Sequence, residues 1–119
     1  MLNDLIVFQK TYDFYVWQKT VIRHLAKVHK YSLGVQLENE TLNLLKQIVK
    51  ANLTRTAKKE EIENCLVFLE IIKVLIRAGH EFNREGGISL KNYQLASEKL
   101  AEIGKLLGGW LKNFSGRAF

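Results

Sequence analysis

Three histidines, one cysteine and a cluster of carboxylates are the side chains with which this chain could catalyse a reaction or hold a metal. Their spacing argues against both. His24 and His29 are five residues apart, about 140° around a helix, so they cannot grip one ion from a single face. His80 falls beside Glu81 at the end of a helical segment, where an imidazolium is favoured by the last carbonyls, and a capping role is expected. Cys65 is followed by Leu66 and Val67 on a helix, the setting of a buried, inert thiol. Glu60, Glu61 and Glu63 cluster where a helix begins, and there a structural role against the helix dipole outweighs acid–base catalysis. None of the eight glycines follows a strand or falls in a GxGxxG or Walker pattern, so nucleotide cradling is unsupported. The sequence predicts no enzyme, no cofactor and no metal centre.

Charge placement is more informative. The chain carries 18 basic and 12 acidic residues, +6 at pH 7. Residues 1–59 hold ten basic and four acidic side chains, whereas residues 60–119 hold eight of each, so the whole excess lies in the first half. Lys19, Arg23 and Lys27 step by four along the first helical segment, and Lys30 continues that edge. Lys46 and Lys50 repeat the step on the second segment, with Arg55 just beyond. No acidic residue stands at helical spacing to neutralise either line. These seven cations are the candidate contacts to a polyanion, holding phosphates without reading bases. The plainer reading of a lysine-rich face is a solvated face, and the one-sidedness of the charge weighs against it.

Four helical segments must position these cations. The first is expected over residues 4–29, with Asn3 as its cap and a buried stripe of Leu5, Phe8, Tyr12, Tyr15, Ile22, Leu25 and His29. A second apolar set on it, Phe14, Trp17, Val21 and Val28, calls for additional burial. The second segment starts after Ser32 as cap and reaches residue 53, with Leu33, Leu37, Leu44, Ile48 and Ala51 facing inward. Thr56 is the expected cap of the third, which runs to residue 80 and is apolar almost all round between Ile62 and Ala78, with Glu63, Glu70, Lys73 and Arg77 marking a polar edge. A surface loop over residues 81–90 contains Gly86-Gly87 and ends at Ser89, cap of the fourth. The fourth spaces Tyr93, Ala96, Leu100, Ile103, Leu107, Trp110 and Phe114 at alternating steps of three and four, the seam of a bundle. Gly104 and Gly108 inside it imply close approach of a neighbouring helix. The fold expected is all-α, an antiparallel up-down-up-down four-helix bundle.

Length and composition agree. One hundred and nineteen residues make one domain spanning residues 1–119, and 47% hydrophobic with 25% charged content is that of a folding chain. A single cysteine excludes a disulfide scaffold and points to a reducing compartment. The longest apolar run, residues 71–78, is broken by Lys73 and Arg77, so no membrane span is expected. The first ten residues lack the basic start of a signal peptide, and a cytoplasmic location follows. The nearly all-round apolar third helix calls for cover from other copies of the chain, because one domain of this size cannot enclose it.

Two stretches resemble a known family. Ala26-Lys27-Val28-His29-Lys30-Tyr31-Ser32-Leu33-Gly34 is similar to the helix 1 to helix 2 junction of the accessory variability determinant (Avd) proteins of diversity-generating retroelements, with Ala26 where proline is usual. Gly104-Lys105-Leu106-Leu107-Gly108-Gly109-Trp110 resembles that family's C-terminal Gly-x-x-x-Gly-Gly-Trp signature, and Tyr12-Asp13 with Trp17 resembles its opening. The resemblance implies a four-helix bundle, related to proteins encoded in intervening sequences of ribosomal RNA genes, that assembles as a homopentameric barrel. It implies an accessory protein without catalytic activity that associates with the element's reverse transcriptase, binds RNA and DNA through a basic surface, and supports mutagenic retrohoming. An alternative of another class is a structural adaptor whose basic face docks an acidic protein and never meets nucleic acid.

Overall fold

A computed structural model describes residues 5–115. Four antiparallel rods form the bundle, and no strand occurs among the described residues. Helix α1 is Ile6–Arg23. The second rod, α2, spans residues 27–53 and is composite: an α turn Lys27–His29, a π turn Lys30–Gly34 and an α segment Val35–Leu53. Helix α3 is Lys58–Glu81 and α4 is Leu90–Ser115. Each rod packs on the next and α4 returns to α1, closing an elongated body of 52 × 21 × 18 Å.

The first reversal comes earlier than periodicity suggests. Helix α1 ends at Arg23 and not near residue 29, so Lys27, Val28, His29 and Lys30 belong to α2. Ala26 is extended there (φ −60°, ψ 153°), and its N–H donates to the Gly86 carbonyl at 2.8 Å, outside any helix. The break thus coincides with a tertiary contact, at the position where the family pattern has proline, a residue that would lock this φ but could not donate this bond. Ser32 is no cap. It lies inside the π turn, and its Oγ donates back to the Val28 carbonyl at 2.8 Å. Thr56 does not cap α3 either: that helix starts at Lys58 after Ala57 in the left-handed region (φ 58°), without a side-chain cap. Ser89 does cap α4, accepting the Asn92 N–H at 3.2 Å. The expected cap Asn3 and helix start Asp4 lie outside the described residues.

The buried face of α1 differs in part. Val7, Thr11, Phe14, Gln18 and Val21 point inward at alternating four- and three-residue steps, with Leu25 continuing them just past the helix end; of the expected stripe Ile22 and Leu25 are buried, whereas Tyr12 is 48% exposed. Polar Thr11 and Gln18 occupy heptad core positions and disguised the stripe; Thr11 Oγ1 satisfies itself on the Val7 carbonyl at 2.8 Å. Elsewhere the periodic faces are the packed ones: Leu37, Leu44, Ile48 and Ala51 on α2, and Ala96, Leu100, Ile103 and Leu107 on α4. On α4 only Gly104 meets a neighbour, the Leu69 side chain; beside Gly108 there is open space, so close approach within the chain does not explain it.

Candidate nucleic-acid interface

The seven cations divide into two groups. Arg23 closes the last turn of α1, and Lys27 and Lys30 open α2, so these three share the end of the bundle where α1 turns into α2. Lys46 and Lys50 lie near the other end of α2, with Arg55 in the turn after it. Lys46 lies sixteen residues after Lys30 along the rod, roughly 24 Å at 1.5 Å per residue. Lys19 stands between the groups on α1.

The absence of acidic partners along each helix does not leave every cation unpaired, because packing brings carboxylates from adjacent helices. Lys19 is hydrogen-bonded to Glu38 of α2, and this contact raises its pKa above the ordinary lysine value. Lys50 lies 3.6 Å from Glu61 of α3. Glu61 also accepts the Gln47 side-chain amide at 2.8 Å, and the bonds from Gln47 and Asn64 with the nearby Lys50 charge hold its carboxyl below the usual range. By contrast, Arg23, Lys27, Lys30, Lys46 and Arg55 form no ion pair with a described carboxylate. Two cations outside the set are turned to rings: Lys99 Nζ sits 5.2 Å from the Trp17 ring centroid and Lys58 Nζ 5.3 Å from that of Phe114.

The junction end is built by the 82–87 turn packing on the start of α2. Gly86 adopts φ +83° with Ala26 against it, and His29 Nε2 lies 3.2 Å from the Glu85 carbonyl. The His29 and Phe82 rings meet at 5.2 Å between centroids. Val28 (71% exposed), Tyr31 (69%) and Phe82 (45%) stand in solvent at this end, beside Lys27, Lys30 and Arg84. Charge periodicity missed these rings; the signal available was an aromatic inside each of two polar turn segments, Lys30-Tyr31-Ser32 and Glu81-Phe82-Asn83.

The remaining reactive groups are structural. His80 does not cap its own helix; its Nδ1 bonds the Ile88 carbonyl at 3.0 Å, and its ring stacks on Tyr93 at 4.5 Å. Cys65 is fully buried, and desolvation, with a smaller contribution from the Glu61 charge, pushes its thiol up to about 12. No three His, Cys, Asp or Glu side chains gather as metal ligands among the described residues. No described helix is long and apolar enough to cross a membrane. On α3, Val67, Ile71 and Val74 form an exposed apolar strip with Leu66 and Leu75 at its edges.

A family model described as bAvd-like matches residues 5–114. No curated protein and no solved structure matches the chain.

Proposed function

The chain belongs to the bAvd-like family, and from that premise we propose that it is a non-catalytic accessory protein of a diversity-generating retroelement, binding nucleic acid through its basic surface and associating with the reverse transcriptase to support mutagenic retrohoming. The observation that carries the nucleic-acid part is the group Arg23, Lys27 and Lys30, which packing places at one end of the bundle without acidic partners. Such cations displace counterions from a phosphate backbone and favour no particular sequence. Lys46 and Arg55, equally unpaired, extend the contact toward the other end of α2. Lys19 and Lys50 must first give up Glu38 and Glu61, so they contribute less. Assembly of several copies, five by family resemblance, repeats this charge around a common axis, and the exposed apolar strip on α3 supplies a surface for it.

The test replaces Arg23, Lys27 and Lys30 together with alanine. Binding to RNA should weaken, and the dependence of log K on log salt should become shallower by up to about three released counterions. Unchanged affinity in a folded variant removes these residues from the interface. The adaptor alternative is separated by competition: excess unrelated single-stranded RNA displaces a polyanion bound at this face but leaves an independent protein contact intact.

A further inference from the structure

We infer that the junction end of the bundle is a two-sided stacking platform for unpaired nucleotides, with the Phe82–His29 ring pair on one side of the start of α2, Tyr31, two residues on from His29, on the other, and Lys27, Lys30 and Arg84 as contacts to the adjoining phosphates. This rests on the polyanion reading above and adds the form of nucleic acid that the surface takes. Phosphate contacts alone do not distinguish a single strand from a duplex, whereas a ring face offered to solvent is usable only by a base whose own face is free.

Three observations carry the assignment. Tyr31 is 69% exposed and its hydroxyl has no hydrogen bond among the described residues, so the core has no use for the ring. Phe82 is held in place although 45% exposed: its ring leans on His29 at 5.2 Å with 32° between the planes, and His29 is tied to the Glu85 carbonyl at 3.2 Å. The 2.8 Å bond from Ala26 N–H to the Gly86 carbonyl then fixes the 82–87 turn, with Arg84, to the start of α2, which carries Lys27 and Lys30. The Phe82–His29 pair, ordered before the ligand arrives, loses little side-chain entropy on binding.

Charge complementarity selects a polyanion as occupant. Arg23, Lys27, Lys30 and Arg84 outnumber the two carboxylates at this end, Glu81 at the close of α3 and Glu85 in the turn, and none of the four cations is paired with a described carboxylate. A duplex would meet only the cations, because its bases are stacked on one another. Splayed bases of a single strand meet cations and rings together.

The experiment uses the full chain, a fluorescent unstructured single-stranded RNA, the duplex of the same length, and an abasic strand with the same number of phosphates. Tyr31→Ala and Phe82→Ala each lower affinity for the single strand by roughly tenfold, as loss of one base–aromatic stack does, and leave the salt slope and duplex affinity unchanged. Tyr31→Phe binds like the wild type, and the abasic strand binds wild type and Tyr31→Ala alike. Circular dichroism confirms that the exposed substitutions leave the helices intact. If the wild type binds RNA and both alanine variants bind the single strand equally well, the platform is overturned and the polyanion reading stands; a protein occupant at this end would give that result. If the wild type retains no strand even in dilute buffer, the polyanion reading fails and takes this inference with it.

Discussion

Gln18 and Thr41 meet in the core between α1 and α2, Thr41 Oγ1 donating to Gln18 Oε1 at 3.1 Å, while Gln18 Nε2 is buried without a partner. Removing one member should therefore cost more than removing both. Thr41→Val alone leaves the Gln18 amide with neither bond satisfied and should lower stability by about 1–3 kcal/mol. Gln18→Leu combined with Thr41→Val should be near neutral or stabilising, with urea unfolding at fixed protein concentration as the measurement. A double variant weaker than Thr41→Val would mean that the pair contributes more than its bond. Cys65 gives a second prediction at this scale. With its thiol pushed up to about 12 by burial, the folded protein at mildly alkaline pH holds almost no thiolate and should resist alkylation by iodoacetamide. Full labelling is expected only in denaturant. Rapid labelling of the native protein would contradict the burial of Cys65.

The element that sets the geometry of the candidate interface is the turn after α3. Gly86 takes a backbone conformation that L side chains rarely adopt, and a methyl on Gly87 would run into the backbone carbonyls of Gly79 and Phe82. Neither carbonyl is free to move, since Gly79 O accepts the Ile88 N–H and Phe82 O accepts the Gly87 N–H, both at 2.9 Å. Gly87→Ala should thus destabilise by about 1–3 kcal/mol and lower Tm, because the turn must open to admit the methyl. Opening it also releases the Gly86 carbonyl from Ala26, the contact that separates α1 from α2. Amide exchange at Ala26 should accelerate in the same variant, while an unchanged rate would mean that the α1–α2 break stands without the turn.

For the whole molecule, the apolar strip on α3 is the feature that one chain leaves unfinished. Val67 is 56% exposed and Val74 65%, with Ile71 between them. Changing both to glutamate touches no packed side chain face and should alter the stability of one chain by less than about 0.5 kcal/mol per site. It should nevertheless disperse an assembly that uses this strip, because each contact would then bury an unpaired carboxylate. Light scattering of the wild type is expected to give a multiple of 13.7 kDa, five by family resemblance, and that of the double variant the single-chain mass with the helical dichroism kept. An assembly indifferent to both glutamates would have to use another face.

The four helices, their order, the seam of α4 and the loop before Ser89 were legible in the sequence, since each depends on local periodicity and, at Ser89 alone, on capping chemistry that neighbouring residues state on their own. The inward face of α1 was legible only at Phe14, Val21, Ile22 and Leu25, because Thr11 and Gln18 are polar by type and buried only through what packs on them. The end of α1 was hidden for a related reason: no proline or glycine marks it, and the contact made there joins Ala26 to Gly86, sixty residues along the chain. Pairing of charges followed the same division. Residues on one helix reveal which cations lack partners along it, but only packing could place Glu38 beside Lys19 and Glu61 beside Lys50 while leaving Arg23, Lys27 and Lys30 together and unpaired.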